Sequence, residues 1–103
     1  MGLLVAAESI QKMLDEALYT ATEQLLTHGD GPLRSEQFFS TAEQTLVHVW
    51  NVNNHQTTWG VLSAALNGLL EYMSSTAFGQ ATFTVHDGGI LVGEGFVGLV
   101  QNQ

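Results

Sequence analysis

The sequence predicts an α+β fold: a two-layer sandwich with elements in the order α-β-α-β-β, its small sheet ending in a C-terminal β-hairpin. Three observations predict it. Thr57–Ser75, TTWGVLSAALNGLLEYMSS, repeats apolar residues at helical spacing. Thr45–Val52, TLVHVWNV, is rich in β-branched and aromatic residues that alternate in the manner of a strand. Gln80–Val100 alternates on either side of Asp87-Gly88, a two-residue hairpin signal. At 103 residues the chain, 1–103, is one domain, large enough to bury a core without staples.

The first helix is expected from about Leu4 to Thr27. Ile10, Met13, Leu14, Ala17, Leu18, Ala21 and Leu25 fall on one face of it. Glu8 and Lys12 stand four apart in the favourable order for a helical ion pair. His28 suits the negative end of the helix dipole, and Gly29 suits a left-handed cap. Gly29–Glu36, GDGPLRSE, holds the only proline and reads as a connector. The segment from Glu36 to Gln44 fits either a short helix capped by Ser35 or a loop anchored by Phe38 and Phe39.

The second helix begins with Thr57 or Thr58 as its N-cap. Val61, Leu62, Ala65, Leu66, Leu69, Leu70 and Met73 form its broad apolar face. Gly60, Ala64 and Gly68 lie four apart on another line. A helical glycine costs about 1 kcal/mol relative to alanine, so this line is expected to approach another backbone closely. A helix of this length can join parallel strands by a right-handed crossover. In the hairpin that follows, Ala81, Phe83 and Val85 alternate with polar residues. The second strand is apolar on both parities, with Ile90, Val92, Phe96 and Val100 on one and Leu91, Val97 and Leu99 on the other. Gly93, Gly95 and Gly98 within it predict a bulge or bend.

Composition excludes several functions. Two basic residues stand against ten acids, for a net charge of −8. No basic footprint exists for nucleic acid or for an anionic membrane surface. There is no cysteine, hence no disulfide and no thiolate ligand or nucleophile. Only 12% of residues are charged, about half the usual share. The N-terminal MGLLVAAESIQKM is short and lacks a basic region, so neither a signal peptide nor a membrane span is expected, and the chain is read as soluble. Gly2 fails as a myristoylation site because position 6 is Ala6.

No chemical constellation emerges from the motifs. Gly93–Gly98 spells G-x-G-x-x-G, but no helix can follow it in five residues. His28, His48, His55 and His86 form no metal-ligand spacing, although His48 and His86 would meet if their strands paired. Glu94, in an apolar strand, is read as a charge guarding a sheet edge. No cofactor, metal site or catalytic residue is expected.

Two function classes remain. The first is a non-enzymatic interaction protein that self-associates, most simply as a homodimer. The two-sided apolar strand carries this reading, with Leu91, Val97 and Leu99 as the candidate contact residues. The second is a binder of a small polar ligand, or a small enzyme. It would use Asn53, Asn54, His55, Gln56 and Thr57 at the helix N-terminus, where free amides favour an anion or carbonyl group, with Trp50 and Trp59 as walls.

TTWGVLSAALNGLLEYM followed by FTVHDGGILVGEG, within Thr57–Gly95, resembles a helix-hairpin segment of small fungal proteins of unassigned function. It covers less than half the chain. The resemblance implies a fungal origin and is compatible with secretion. It carries over no functional residue.

Overall fold

The computed structural model describes residues 3–100, with side chains from residue 7 onward. Met1 and Gly2, on which the myristoylation reading turned, lie outside the described residues. The elements are α1 (Leu3–His28), β1 (Gln37–Ala42), β2 (Thr45–Asn51), α2 (Trp59–Ser75), β3 (Ala81–Asp87) and β4 (Ile90–Leu99), with a short 3-10 turn at Arg34–Glu36. The class is mixed α+β. No helix of the described residues is long and apolar enough to cross a membrane.

The expected order lacked one strand. Residues 37–42, read from sequence as a short helix or a loop, form β1 at the sheet edge. Its hairpin to β2 turns through Glu43 (φ 50) and Gln44 (φ 67), a left-handed pair normally filled by Asn or Gly. That chemistry carries no sequence signal. Tertiary contacts stabilise the turn instead. Lys12 Nζ lies 2.7 Å from Glu43 Oε2, and Ser9 Oγ donates to Glu43 Oε1 at 3.2 Å. The hydrogen bond and charge of Lys12 hold the Glu43 carboxyl below its usual range. Lys12 thus bonds across to the turn, and not to Glu8 within its own helix.

The sheet runs β1-β2-β4-β3, with every neighbouring pair antiparallel. It follows that β2 and β3 point the same way with β4 between them. The α2 crossover therefore joins parallel but non-adjacent strands. Each half of the chain is a helix followed by a hairpin. The register of the central pair runs unbroken from Thr45↔Leu99 to Asn51↔Gly93, with Val47 facing Val97 and Val49 facing Gly95.

Alternation decides the core. Val47 and Val49 of β2, Val97 of β4, Val85 of β3 and Phe38 of β1 are buried. They share one hydrophobic cluster with Ile10, Met13, Leu14, Ala17 and Ala21 of α1 and with Leu62, Leu66 and Met73 of α2. The two helices pack on each other as well as on the strands. The alternate strand positions form an outer face.

The hairpin turn sits one residue later than the sequence signal. Gly88 (φ 61) and Gly89 (φ 89) are its central residues, flanked by the Asp87↔Ile90 pair. The expected bulge is present. Val85 faces Gly93 while His86 faces Leu91, which leaves Val92 as the extra residue of β4.

The glycines divide by what surrounds them. A Cβ on Gly95 would overlap the ring of Phe83, which lies across it from β3. The close backbone approach expected along Gly60, Ala64 and Gly68 is absent. Gly60 meets the side chain of Asp30, and Gly68 has open space. Gly68→Ala should therefore raise stability by up to about 1 kcal/mol. Gly95→Ala should lower it by about 1–3 kcal/mol through overpacking against Phe83. Chemical denaturation of the two variants checks both signs.

Candidate functional site

The loop from β2 to α2 is built by local turn chemistry. Asn53 (φ 58) and Asn54 (φ 60) are both left-handed, a conformation asparagine tolerates better than most residues. The His55 N–H closes the turn on the Val52 carbonyl at 3.0 Å. The loop is then tied to the bulge. Val52 N–H donates to the Val92 carbonyl at 3.1 Å, and Thr57 Oγ1 lies 3.4 Å from the same oxygen. Thr57 N–H donates to Asn51 Oδ1 at 2.9 Å. A Cβ on Gly93 would stand 2.8 Å from Thr57 Oγ1, so glycine makes room for this fully buried threonine.

The N-terminus of α2 is occupied by the chain itself. Thr58, the N-cap, accepts from Val61 N–H at 3.3 Å. Trp59 N–H donates to the Gly31 carbonyl at 2.9 Å, and Gly60 N–H donates to Asp30 Oδ1 at 2.9 Å. Leu33 N–H reaches the Thr57 carbonyl at 3.0 Å, and Pro32 bridges to Thr58. The connector from residue 30 to 33 is therefore a strap across the helix start. The external anion expected at these amides has no place there, because the Asp30 carboxylate satisfies both the donor and the dipole. Thr57 is likewise no ligand contact, being fully buried.

The two tryptophans do not wall a common pocket. Trp59 packs edge-on against Phe38 with ring centroids 5.9 Å apart. Trp50 has the opposite strand parity from the buried Val47 and Val49, which places it on the outer face beside His48. Of the predicted set, Asn53, Asn54, His55 and Gln56 do come together. With Glu36 and Asn51 they line a polar cavity of about 450 Å³. All four are exposed. Among the described residues no cluster of His, Asp and Glu could hold a metal ion.

The outer face of the sheet is the other candidate. Across β1, β2, β4 and β3 its rows read Gln37, Trp50, Glu94, Thr84 and Phe39, His48, Phe96, Thr82. Leu46 continues it along β2 beside Gly98. Phe39 is 59% exposed, and Leu46, His48, Trp50 and Phe96 are half-buried. His48 is the hub. Its Nε2 is hydrogen-bonded to Gln37 Oε1 at 2.8 Å, and its ring lies 5.6 Å from Phe39 and 5.0 Å from Trp50.

This changes which residues can meet a partner. Val97, expected at a contact surface, is fully buried against the helices. Leu91 faces His86 before the bulge, on the outer side, and Leu99 is 39% exposed at the strand end. The extra residue Val92 breaks the alternation, so Leu91 and Val97 share a numerical parity but not a face. Glu94 is also relocated. It is exposed on β4, an inner strand, so it guards no edge. His48 and His86 do not meet, since β4 separates their strands. The outer-face residues were visible in sequence as the alternation of Leu46, His48 and Trp50 against Val47 and Val49; only the choice of buried parity was open.

Because Asp30 supplies a cap from outside the helix, Asp30→Ala should cost about 1 kcal/mol, measurable by urea denaturation, with little effect for Asp87→Ala as control. Comparison with protein-family models, with curated proteins and with solved structures gives no match.

Proposed function

We propose that the chain is a non-enzymatic interaction protein, a two-layer α+β unit that self-associates as a homodimer through the outer face of its sheet. One observation carries the reading. The face opposite the core bears Phe39, Leu46, His48, Trp50 and Phe96 at adjoining positions, with no helix of the described residues over it. Contiguous apolar surface of this kind is rare unless something docks on it. The face carries no lysine or arginine, and Glu94 is its only acid. Two copies can therefore approach without the repulsion that a net charge of −8 would otherwise impose. In projection the four strands offer roughly 450 Å² per copy, which sets the interface below the standard specific size and among weak, transient contacts.

The second reading, a small polar ligand in the cavity at residues 51–56, draws on the convergent amide and imidazole groups there. It predicts a thermal shift with some polar ligand that Asn54→Ala with His55→Ala abolishes; no response in a broad screen would leave the dimer reading alone.

For self-association, sedimentation velocity over roughly a hundredfold concentration range should show a monomer–dimer equilibrium. Trp50→Ala should raise its dissociation constant at least about tenfold, as loss of a buried aromatic anchor does, while leaving the fold intact. A monomer at every concentration would overturn the proposal.

A further inference from the structure

Three turns of this chain share a left-handed pair of residues, and they differ in what offsets its cost. The first closes from the Gln37 N–H to the Arg34 carbonyl, with Ser35 (φ 56) and Glu36 (φ 63) at its centre. Glu43 (φ 50) and Gln44 (φ 67) are the centre of the second, the β1–β2 hairpin turn. Asn53 (φ 58) and Asn54 (φ 60) are the centre of the third, closed by His55 on Val52. Two successive residues of positive φ favour Gly, Asn or Asp and are costly for the rest. Asparagine meets the requirement at 53–54. At 43–44 the carboxylate of Glu43 is held by Lys12 and Ser9, which offsets the cost. At 35–36 nothing comparable exists. Among the described residues neither side chain is hydrogen-bonded, and Glu36 forms no ion pair. Glu36 lines instead the cavity of about 450 Å³ that it shares with the Asn53–Gln56 loop. Strain that the chain does not recover through its own contacts points to a site.

The residues around the cavity select the kind of ligand. Glu36 is its only acid, and no lysine or arginine lines it. Asn53, Asn54 and Gln56 bring amides that both donate and accept, and His55 brings an imidazole. Asn51 already gives its Oδ1 to the Thr57 N–H at 2.9 Å, which leaves its Nδ2 for a ligand. An anion is disfavoured, because the helix start nearby already has the Asp30 carboxylate on its Gly60 amide. A metal ion is disfavoured too, since no group of three or more His, Asp and Glu side chains among the described residues could hold one.

We infer that this cavity takes a small organic cation, an alkylammonium or guanidinium group with polar substituents, held by the Glu36 carboxylate. This step rests on the reading of the cavity as a site for a small polar ligand. The cation stands to Glu36 as the Lys12 ammonium stands to Glu43, through charge-assisted N–H donors. Hydroxyl or carbonyl groups of the same molecule meet the asparagine and glutamine amides, which accept either partner. The left-handed turn at 35–36 then has a purpose: it holds an acid on the cavity beside a loop that has none of its own.

Amide chemical shifts of the isotope-labelled chain test this. Ethanolamine and methylguanidinium are titrated at constant ionic strength, with glycerol as the neutral probe, phosphate as the anion and an acetylated lysyl tripeptide as a side-chain source of ammonium. A net charge of −8 draws cations to the whole surface, so the location of the response decides. Both small cations should move the amides of Asn53, Asn54 and His55 saturably, with little movement at the exposed Asp87. Glu36→Gln should weaken that response at least about tenfold, and Asp87→Asn should leave it unchanged. Glycerol or phosphate moving the same amides as strongly, undiminished in Glu36→Gln, overturns the cation while the polar-ligand reading stands. A response to the lysyl peptide alone overturns the small-molecule assignment. No saturable movement with any probe overturns both the cation and the polar-ligand reading. Glu36→Gly gives a second readout, because glycine suits positive φ. It should abolish the cation response and raise the melting temperature by a few degrees. A lowered melting temperature means that Glu36 serves the fold, and overturns its assignment to a ligand.

Discussion

The pairing of β2 with β4 is the contact on which the rest of the structure depends. It joins the two helix-hairpin halves into one sheet, beside the strap that binds the connector to the start of α2. Its unbroken register, from Thr45 and Leu99 to Asn51 and Gly93, places both hairpins in one sheet. It also commits one parity of each strand to the core. Once Val47 and Val97 face the helices, His48, Trp50, Glu94 and Phe96 are necessarily turned the other way. The apolar cluster and the outer face are thus two consequences of one register.

The bulge at Val92 adjusts that arrangement locally. By inserting one residue into β4 it lets Leu91 and the turn beyond it follow a different alternation from Gly93 onward. Its carbonyl then accepts from the loop that leads to α2. Thr57, seated against Gly93, links the bulge to the helix start, and the strap from Asp30 to Leu33 closes the same region from the other side. The amides of a helix start are satisfied here by side chains and carbonyls of the chain. That is why the part of the molecule most suggestive of a binding site is chiefly a structural joint.

The proposed self-association accordingly rests on the sheet surface. Its side chains are large, adjoining and weakly charged, and they contact one another: His48 meets Gln37 and Phe39 across the strand pair and Trp50 along its own strand. A mutually packed aromatic surface of this kind holds its side chains in place, which would lower the entropy lost in the proposed association.

Much of this protein was legible in its sequence, because helix periodicity, strand alternation and the glycine turn are local signals. Both helices, the strand from Thr45, the C-terminal hairpin and its bulge follow from neighbouring residues alone, as do the left-handed asparagines after β2. What the tertiary structure decided depends on residues far apart in the chain. β1 becomes a strand because β2 pairs with it and because Lys12 and Ser9 hold a turn that Glu43 and Gln44 would not favour. Asp30 caps a helix that begins near Trp59, thirty residues beyond it. Whether Val97 or Phe96 meets solvent was settled by the face on which the helices pack, and the inserted Val92 then set Leu91 on the other side from Val97. A strand with apolar side chains on both sides does not encode which side a distant element will cover.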